Sequence, residues 1–426
     1  MATQTVNFAG QIEVTRVDLI SVATGKTVDL SKIMLEMNIY EDIFSNYITG
    51  TISIIDSVDL VNYAPLVGEE RLEIEYKTPG MDDANGKVNN IFYVYKVADK
   101  ALVKDKAQAY VIYFMSEEGF IDQHVKDSKA YKGSLSKMAL DLFSDADALG
   151  ARDEVVNKFV VEETANAFQL VVPTWSPMKA INWVAARSVS RKGKAANYLF
   201  YQDSFKYNFI SINSLVTQQP TMKFWDTTLN VRQLQQATSS EEISQYNIVR
   251  SSAVDLLFDV ATRMASGMFA SKMIAYDILS KTVNIQQFDY INDFDKSNHL
   301  NKFPINSKKV MRNPNSCTIT YPIHSSMFDE FSSDFPETWL LQRRSLLQQI
   351  TSYRGEIVVA GRTDYKVGMV VELNFHTVRN HTTKEESEER YHKGNYLVAS
   401  INHRITKNEH ECIMSVIKDS IITNLN

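Results

Sequence analysis

Apolar and polar residues alternate with a period of two through Tyr40–Tyr76, YEDIFSNYITGTISIIDSVDLVNYAPLVGEERLEIEY. After Gly50, the residues Thr51, Ser53 and Ile55 point one way and Ile52, Ile54 and Asp56 the other. After Gly68, Leu72, Ile74 and Tyr76 alternate with Arg71, Glu73 and Glu75. This pattern predicts two β-strands, each with one buried and one wet face. Pro65 and Gly68 punctuate their connection. The same plan returns late in the chain, where Gly355 opens GEIVVAGR and Gly368 precedes MVVELNF. A second pair of strands follows in both places, at Ile91–Phe114 and at Asn395–Lys418, each an apolar run, a charged break and another run. The pattern predicts a duplicated β module; two unrelated β-meanders are the alternative. Gly50, Gly68, Gly355 and Gly368 are expected at constrained backbone positions, turns or bulges.

Between the modules the period changes. Leu135, Met138, Ala139, Leu142 and Phe143 form a helical stripe opened by Ser134 and stopped by Gly150. Pro177 starts a second helix carrying Met178, Ile181, Trp183, Val184 and Val189, expected to reach Ser190. The strands Tyr198–Gln202 and Tyr207–Ile212 follow. A later helix is predicted over Pro336–Tyr353, with Leu340, Leu341, Leu347 and Ile350 on its apolar face. The resulting fold class is α+β and β-dominated: two tube-like antiparallel β-barrel or sandwich modules, a small α+β domain and an irregular insertion. The expected limits are 1–115 for the first module, 116–226 for the α+β domain, 227–288 with 353–420 for the split second module, and 289–352 for the insertion with its connecting helix.

Composition narrows the function classes. The 426 residues are 44% hydrophobic and 23% charged, which is globular and long enough for several domains. A formal net charge of -6 argues against a nucleic-acid binder held by phosphate neutralisation. Two cysteines, Cys317 and Cys412, support no disulfide framework or Cys-based metal motif and are expected as buried free thiols. The N-terminus lacks a secretory pattern and no apolar run reaches membrane-spanning length, so the expectation is a chain made in the cytosol with no membrane contact.

Candidate chemistry is sparse. There is no phosphate-cradling glycine loop and no nucleophile elbow. His376, His381, His392 and His403 gather late in the chain near Glu385, Glu386, Glu388 and Glu389, at spacings too irregular for a rigid metal motif, and a surface polar patch is expected. The run Lys384–Arg390 reads as a solvated hairpin loop. His410-Glu411-Cys412 reads as an ordinary packed strand start, and Arg343-Arg344 as a solvated helix face or, alternatively, a grip for a partner's anion. No catalytic, cofactor-binding or metal-ligating residue is assigned.

The order of elements resembles the baseplate hub proteins of contractile-tailed phages, a family related to the hub part of type VI secretion spike proteins. The resemblance rests on EDIFSNYITGTISIIDS leading into LVGEERLEIEY, on FMSEEGFIDQHVKDSKAYKGSLSKMALDLFSD, on VPTWSPMKAINWVAARSVSRKGKAANYLFYQDSFKYNFISINSL, and on the late helix with the second module through Lys418. It implies a non-enzymatic virion protein without cofactors, assembled in the host cytoplasm and located in the tail baseplate. Its homotrimer would present six modules to a six-fold tail tube or tube-initiator ring, and three-fold symmetry to a central spike, among baseplate wedge proteins. DNA would pass through its lumen without specific binding. The alternatives are a tail-associated cell-wall hydrolase using carboxylates of the α+β domain, or the hub of a non-viral injection system. The chain stopping soon after Ser420 argues against a secretion-spike fusion.

Overall fold

The computed structural model of the chain describes residues 8–57, 60, 66–82, 86–104, 107–226, 244–257, 259–323, 335–375 and 391–425. Pro65, Asn85, the polar connector 227–243, His376, His381 and the whole run Lys384–Arg390 lie outside the described residues.

The first module contains β1 (Glu13–Ile20), β2 (Thr27–Asp29), β3 (Met34–Asp42), β4 (Thr49–Asp56), β5 (Arg71–Lys77), β6 (Lys87–Lys104) and β7 (Ala107–Ser116). The alternation read from sequence holds: Ile52, Ile54, Leu72, Ile74 and Tyr76 are buried in one core with Val17, Ile39, Phe92, Ile112 and Phe114. The central α+β region has α1 (Glu117–His124), β8 (Ala130–Ser134), α2 (Leu135–Ser144), α3 (Asp153–Val156), β9 (Val160–Val161), β10 (Ala167–Val171), α4 (Pro177–Arg187), β11 (Tyr198–Gln202), β12 (Tyr207–Ser211) and α5 (Ile212–Leu215). The Ser134 hydroxyl caps α2 by accepting from the Lys137 amide at 3.3 Å. The predicted α2 stripe is buried together with Met178, Ile181 and Val184 of α4. That helix ends at Arg187, before Val189.

The remainder comprises β13 (Met222–Asp226), β14 (Val249–Leu257), α6 (Val260–Ala265), β15 (Ala270–Asp277), β16 (Thr282–Asp289), α7 (Tyr290–Asp293), β17 (Phe303–Pro304), β18 (Thr318–Ile323), α8 (Leu340–Ile350), β19 (Tyr353–Ala360), β20 (Val370–Phe375), β21 (Gly394–Thr406), β22 (His410–Lys418) and β23 (Ser420–Ile421). Here the pairing differs from the expected limits. β13, read as the end of the α+β domain, pairs in parallel with β20 and so lies in the second module's sheet. The β15–β16 hairpin, read as part of the second module, instead forms its own three-stranded sheet with β18. The physical reason is a local core: Met273 and Ala275 of β15 bury against Leu341 of α8.

Strand order exposes the duplication. The first module runs β3-β4-β7-β6-β5-β1 and the second β14-β19-β22-β21-β20-β13. Irregularities recur at matching places. β3 slips against β4 between Met34 and Glu36, and β14 slips against β19 between Val249 and Ser251. β6 slips against β7 between Val94 and Lys96, and β21 slips against β22 between Val398 and Ser400. Gly50 faces Phe114 across the ladder where Gly355 faces Val416. The last strand breaks the match, because β1 is antiparallel to β5 whereas β13 is parallel to β20. The two modules are fused: β21 pairs antiparallel with β3 from Ser400↔Asp42 to Thr406↔Glu36, making one 13-stranded sheet among the described residues.

The segment between α6 and α8 is clamped to the second module by His299. Its Nδ1 lies 2.7 Å from Asp419 Oδ2, its Nε2 lies 2.8 Å from the Phe294 carbonyl, and its ring stacks on Phe294 at 3.7 Å. Burial works against the imidazolium, but the hydrogen bond and charge of Asp419 outweigh it and hold the group above its ordinary value. A raised folded-state value stabilises the fold fully below the unfolded value of about 6.5, and this contribution fades as pH rises through the folded value. Melting temperature should therefore fall as pH is raised from 6 toward 9, and the fall should be shallower in His299→Gln; parallel curves for the two proteins would refute the clamp's role.

Candidate functional site

The fused junction and the sheet edges are the features on which a function can be built. The junction exchanges side chains between modules. Ile405 of β21 is buried in the first module's core, and Ile43, just after β3, is buried in the second's. The Ile43 amide donates to the Ala399 carbonyl at 2.9 Å. Thr78 and Thr363 tie the flanking turns, with amide-to-hydroxyl bonds of 3.2 and 3.0 Å. Glu41 sits at the centre, 1% exposed. It accepts from the Ser204 hydroxyl of the central region and from the Val367 amide, and it faces His403 Nε2 at 3.6 Å.

Beside Glu41, His403, His410 and Cys412 form a fully buried triangle. His403 Nδ1 is 3.1 Å from His410 Nε2, and the Cys412 sulfur is 3.4 Å from each of these nitrogens. Sequence reading set His403 with His376, His381 and His392; of these, His392 is described, and it bonds the Tyr353 hydroxyl instead. The signal missed was pairing. His403 and Cys412 are direct cross-strand partners on the β21–β22 hairpin, and His410 precedes Cys412 by two, on the same face. Burial, opposed by the charges of Cys412 and Glu41, leaves His403 raised to about 10, while burial and His403 hold His410 well below its usual value.

Elsewhere, charges are spent on structure. The wet face of the first module is a ladder of ion pairs: Arg16–Glu73 at 2.6 Å, Arg71–Glu73 at 2.8 Å and Lys87–Glu75 at 3.1 Å. Glu73 is shared by two of the three cations. A polar cleft of about 380 Å³ between this face and the central region contains Glu118 and Asp203, both raised chiefly by burial. Glu118 accepts from the Tyr207 hydroxyl at 3.0 Å, and Asp203 accepts from the Phe205 and Lys206 amides. Arg343 is neither solvated nor presented to a partner. Its guanidinium is buried, donates to the Ala185 and Tyr198 carbonyls at 3.3 and 3.0 Å, and is lowered to about 10 by burial and then by Arg187.

The four glycines have different reasons. Gly68 and Gly368 take φ of +91° and +80°, the left-handed region, ahead of β5 and β20. Gly50 and Gly355 stand inside β4 and β19. A Cβ on Gly50 would strike the Phe114 ring and lie 2.5 Å from the Asn38 carbonyl; on Gly355 it would lie 3.1 Å from the Ala253 carbonyl. Both cysteines are buried and free. Among the described residues no helix is long and apolar enough to cross a membrane.

Besides the end strands β2 and β13, two stretches of the sheet have a neighbour on one side only among the described residues. β14 pairs only with β19 along its length, and its outward row Arg250–Val254 is exposed. β6 pairs with β5 only from Lys87 to Tyr93, so its far half has β7 alone as neighbour. That half carries exposed Tyr95, Val97, Leu102 and Val103, with Leu102 75% exposed.

No family model matches the chain, and no curated protein matches its sequence. Its fold is that of tail proteins. It is similar to the tail protein of Neisseria meningitidis MC58, at a TM-score of 0.54 and 9% identity over 95% of this chain and 97% of that one. It is equally similar to the 43 kDa tail protein of prophage MuSo2 from Shewanella oneidensis, at a TM-score of 0.54 and 9% identity over 95% of this chain and 98% of that one.

If the exchanged isoleucines hold the modules together, Ile405→Ala should cost about 2–5 kcal/mol in chemical denaturation. A loss under about 1 kcal/mol would mean that the junction rests on the strand pairing alone.

Proposed function

We propose that this chain is a structural subunit of a tail baseplate, a hub of which three copies close into a ring of six β modules around a channel. The observation that carries it is the fused duplication. Within one chain, the second half of β21 pairs with β3 of the other module. By the strand correspondence, β6 stands for β21 and β14 stands for β3. The copies of these two edges that the chain leaves open are the far half of β6 and the outer side of β14. Pairing β6 of one copy with β14 of the next repeats the internal junction between copies, and a rotation of one third of a turn closes it. The exposed apolar residues on the β6 half would be covered in that contact, and an open apolar strand edge is otherwise a hazard for irregular association.

Such a ring offers six similar modules to a six-fold tail tube or its initiator ring, while its three-fold symmetry suits a central spike; wedge proteins would bind its outer side. The similarity in fold to tail proteins supports this reading. The formal net charge of -6 suits a channel wall past which DNA slides without binding. The work of such a subunit is binding, sealing and release, in a virion baseplate put together in the host cytoplasm; the hub of a non-viral injection particle would need the same geometry.

The test is light scattering of the purified chain, alone and with its tube and spike partners, combined with cysteines placed at Asp99 and Val254. A particle of three chains, cross-linked between copies through that pair and open at its centre in end-on electron micrographs, is expected. A compact monomer that stays uncross-linked with its partners present, together with clearing of a peptidoglycan zymogram, would replace the hub with a hydrolase centred on the Glu118–Asp203 cleft.

A further inference from the structure

We infer that His403, His410 and Cys412 form a structural transition-metal site, best suited to zinc, built into the junction between the two β modules. The three donor atoms lie 3.1, 3.4 and 3.4 Å apart, and all belong to one group of ligand atoms within 4.8 Å of one another. A tetrahedral zinc with bonds of about 2.0–2.1 Å to nitrogen and about 2.3 Å to sulfur sets its ligand atoms roughly 3.3–3.6 Å apart. The triangle therefore already has nearly the size of one face of that tetrahedron. Two imidazoles and a thiolate are a borderline-soft set that selects zinc over calcium or magnesium.

The surroundings are those of a metal-bound histidine. Glu41 faces His403 Nε2, the ring nitrogen on the side away from the triangle, at 3.6 Å. A carboxylate there holds a proton on Nε2, so that when a metal displaces the other proton of the raised His403, the Nδ1 lone pair is turned toward His410 and Cys412. The other ring nitrogens, His403 Nε2 and His410 Nδ1, are buried on the far sides of the rings and have no hydrogen-bond partner among the described residues. The buried Tyr365 hydroxyl likewise lacks one, and it interacts electrostatically with Cys412. The three donors complete one face only, so the fourth apex calls for a further oxygen donor. Binding gives one nitrogen of each ring and the sulfur to the metal and releases to solvent the proton that the His403–Cys412 pair shares in the free cluster.

Among the described residues, the first module does not repeat the site. Positions equivalent to His403, His410 and Cys412 in the first module are Asp99, Gln108 and Tyr110, which cannot repeat the donor set. The metal would hold β21 to β22 beside the β21–β3 seam, with Glu41 of β3 steadying it from the other module.

The experiment is to refold the full chain with excess cobalt(II) as a spectroscopic stand-in for zinc, and separately to measure zinc in protein grown in zinc-supplemented medium. About one zinc per chain is expected, together with a thiolate-to-cobalt charge-transfer band that vanishes in Cys412→Ser. Because that variant could fail to fold, Glu41→Gln supplies a second reading: it keeps all three ligands and should weaken metal retention against a competing chelator by about 10–100-fold. Folded wild-type protein that carries no zinc and develops no charge-transfer band overturns the proposal. So does a cobalt spectrum unchanged in Cys412→Ser that circular dichroism finds folded. Neither result bears on whether three copies form a ring, which light scattering decides.

Discussion

Seven residues of β21 pair with seven of β3 in an antiparallel ladder, and most of the architecture depends on that seam. Without it there would be a seven-stranded and a six-stranded unit joined through the central region. With it, one sheet runs through both, and each module's core receives an isoleucine from the other. A backbone ladder fixes register more rigidly than side-chain packing, because a slip of one residue turns every side chain to the opposite face. Here a slip would carry Ile405 and His403 out of the interior and expose the charges of Arg404 to it. The seam thus holds the two modules at one fixed angle, which is what a ring of repeated contacts requires.

The seam is also where polar groups have been taken inside. Glu41, His403, His410 and Cys412 are almost without solvent contact. Buried ionisable groups are costly unless they are paired or bind a metal, so four of them meeting at one point of the interior need a reason. Glu41 contacts all three parts of the chain: its own module, Val367 and His403 of the second, and Ser204 of the central region. A group with such partners specifies how the parts are placed, whereas an apolar residue there would tolerate several arrangements.

The one departure from the duplication has a simple cause. β13 is delivered by α5 and the turn after it, from the central region, and runs alongside β20 in parallel. The inserted segment after β14 then departs, builds its own small sheet, and returns through α8 to β19. Arg263 donates to the Gln348 and Thr351 carbonyls at the end of α8, and Arg343 donates into the end of α4. Both arginines turn inward to donate to carbonyls in the last turns of helices, which is why neither is available at the surface.

Local alternation determined a good part of this protein. The β4 and β5 faces, the α2 stripe, the Pro177 start of α4 and the pairing of Gly50–Gly68 with Gly355–Gly368 could all be read from the chain, because burial of one strand face or one helix stripe leaves a short-range period. Partners across large sequence separations leave none. The parallel pairing of β13 with β20, the separate sheet of β15, β16 and β18, the inward turn of Arg343 and the meeting of Glu41 with His403 join residues that no local pattern relates. The His403–Cys412 pair lay between: a hairpin's register places them opposite one another, yet it takes the fold around the hairpin to enclose them, bring Glu41 behind, and turn three ordinary side chains into one cluster.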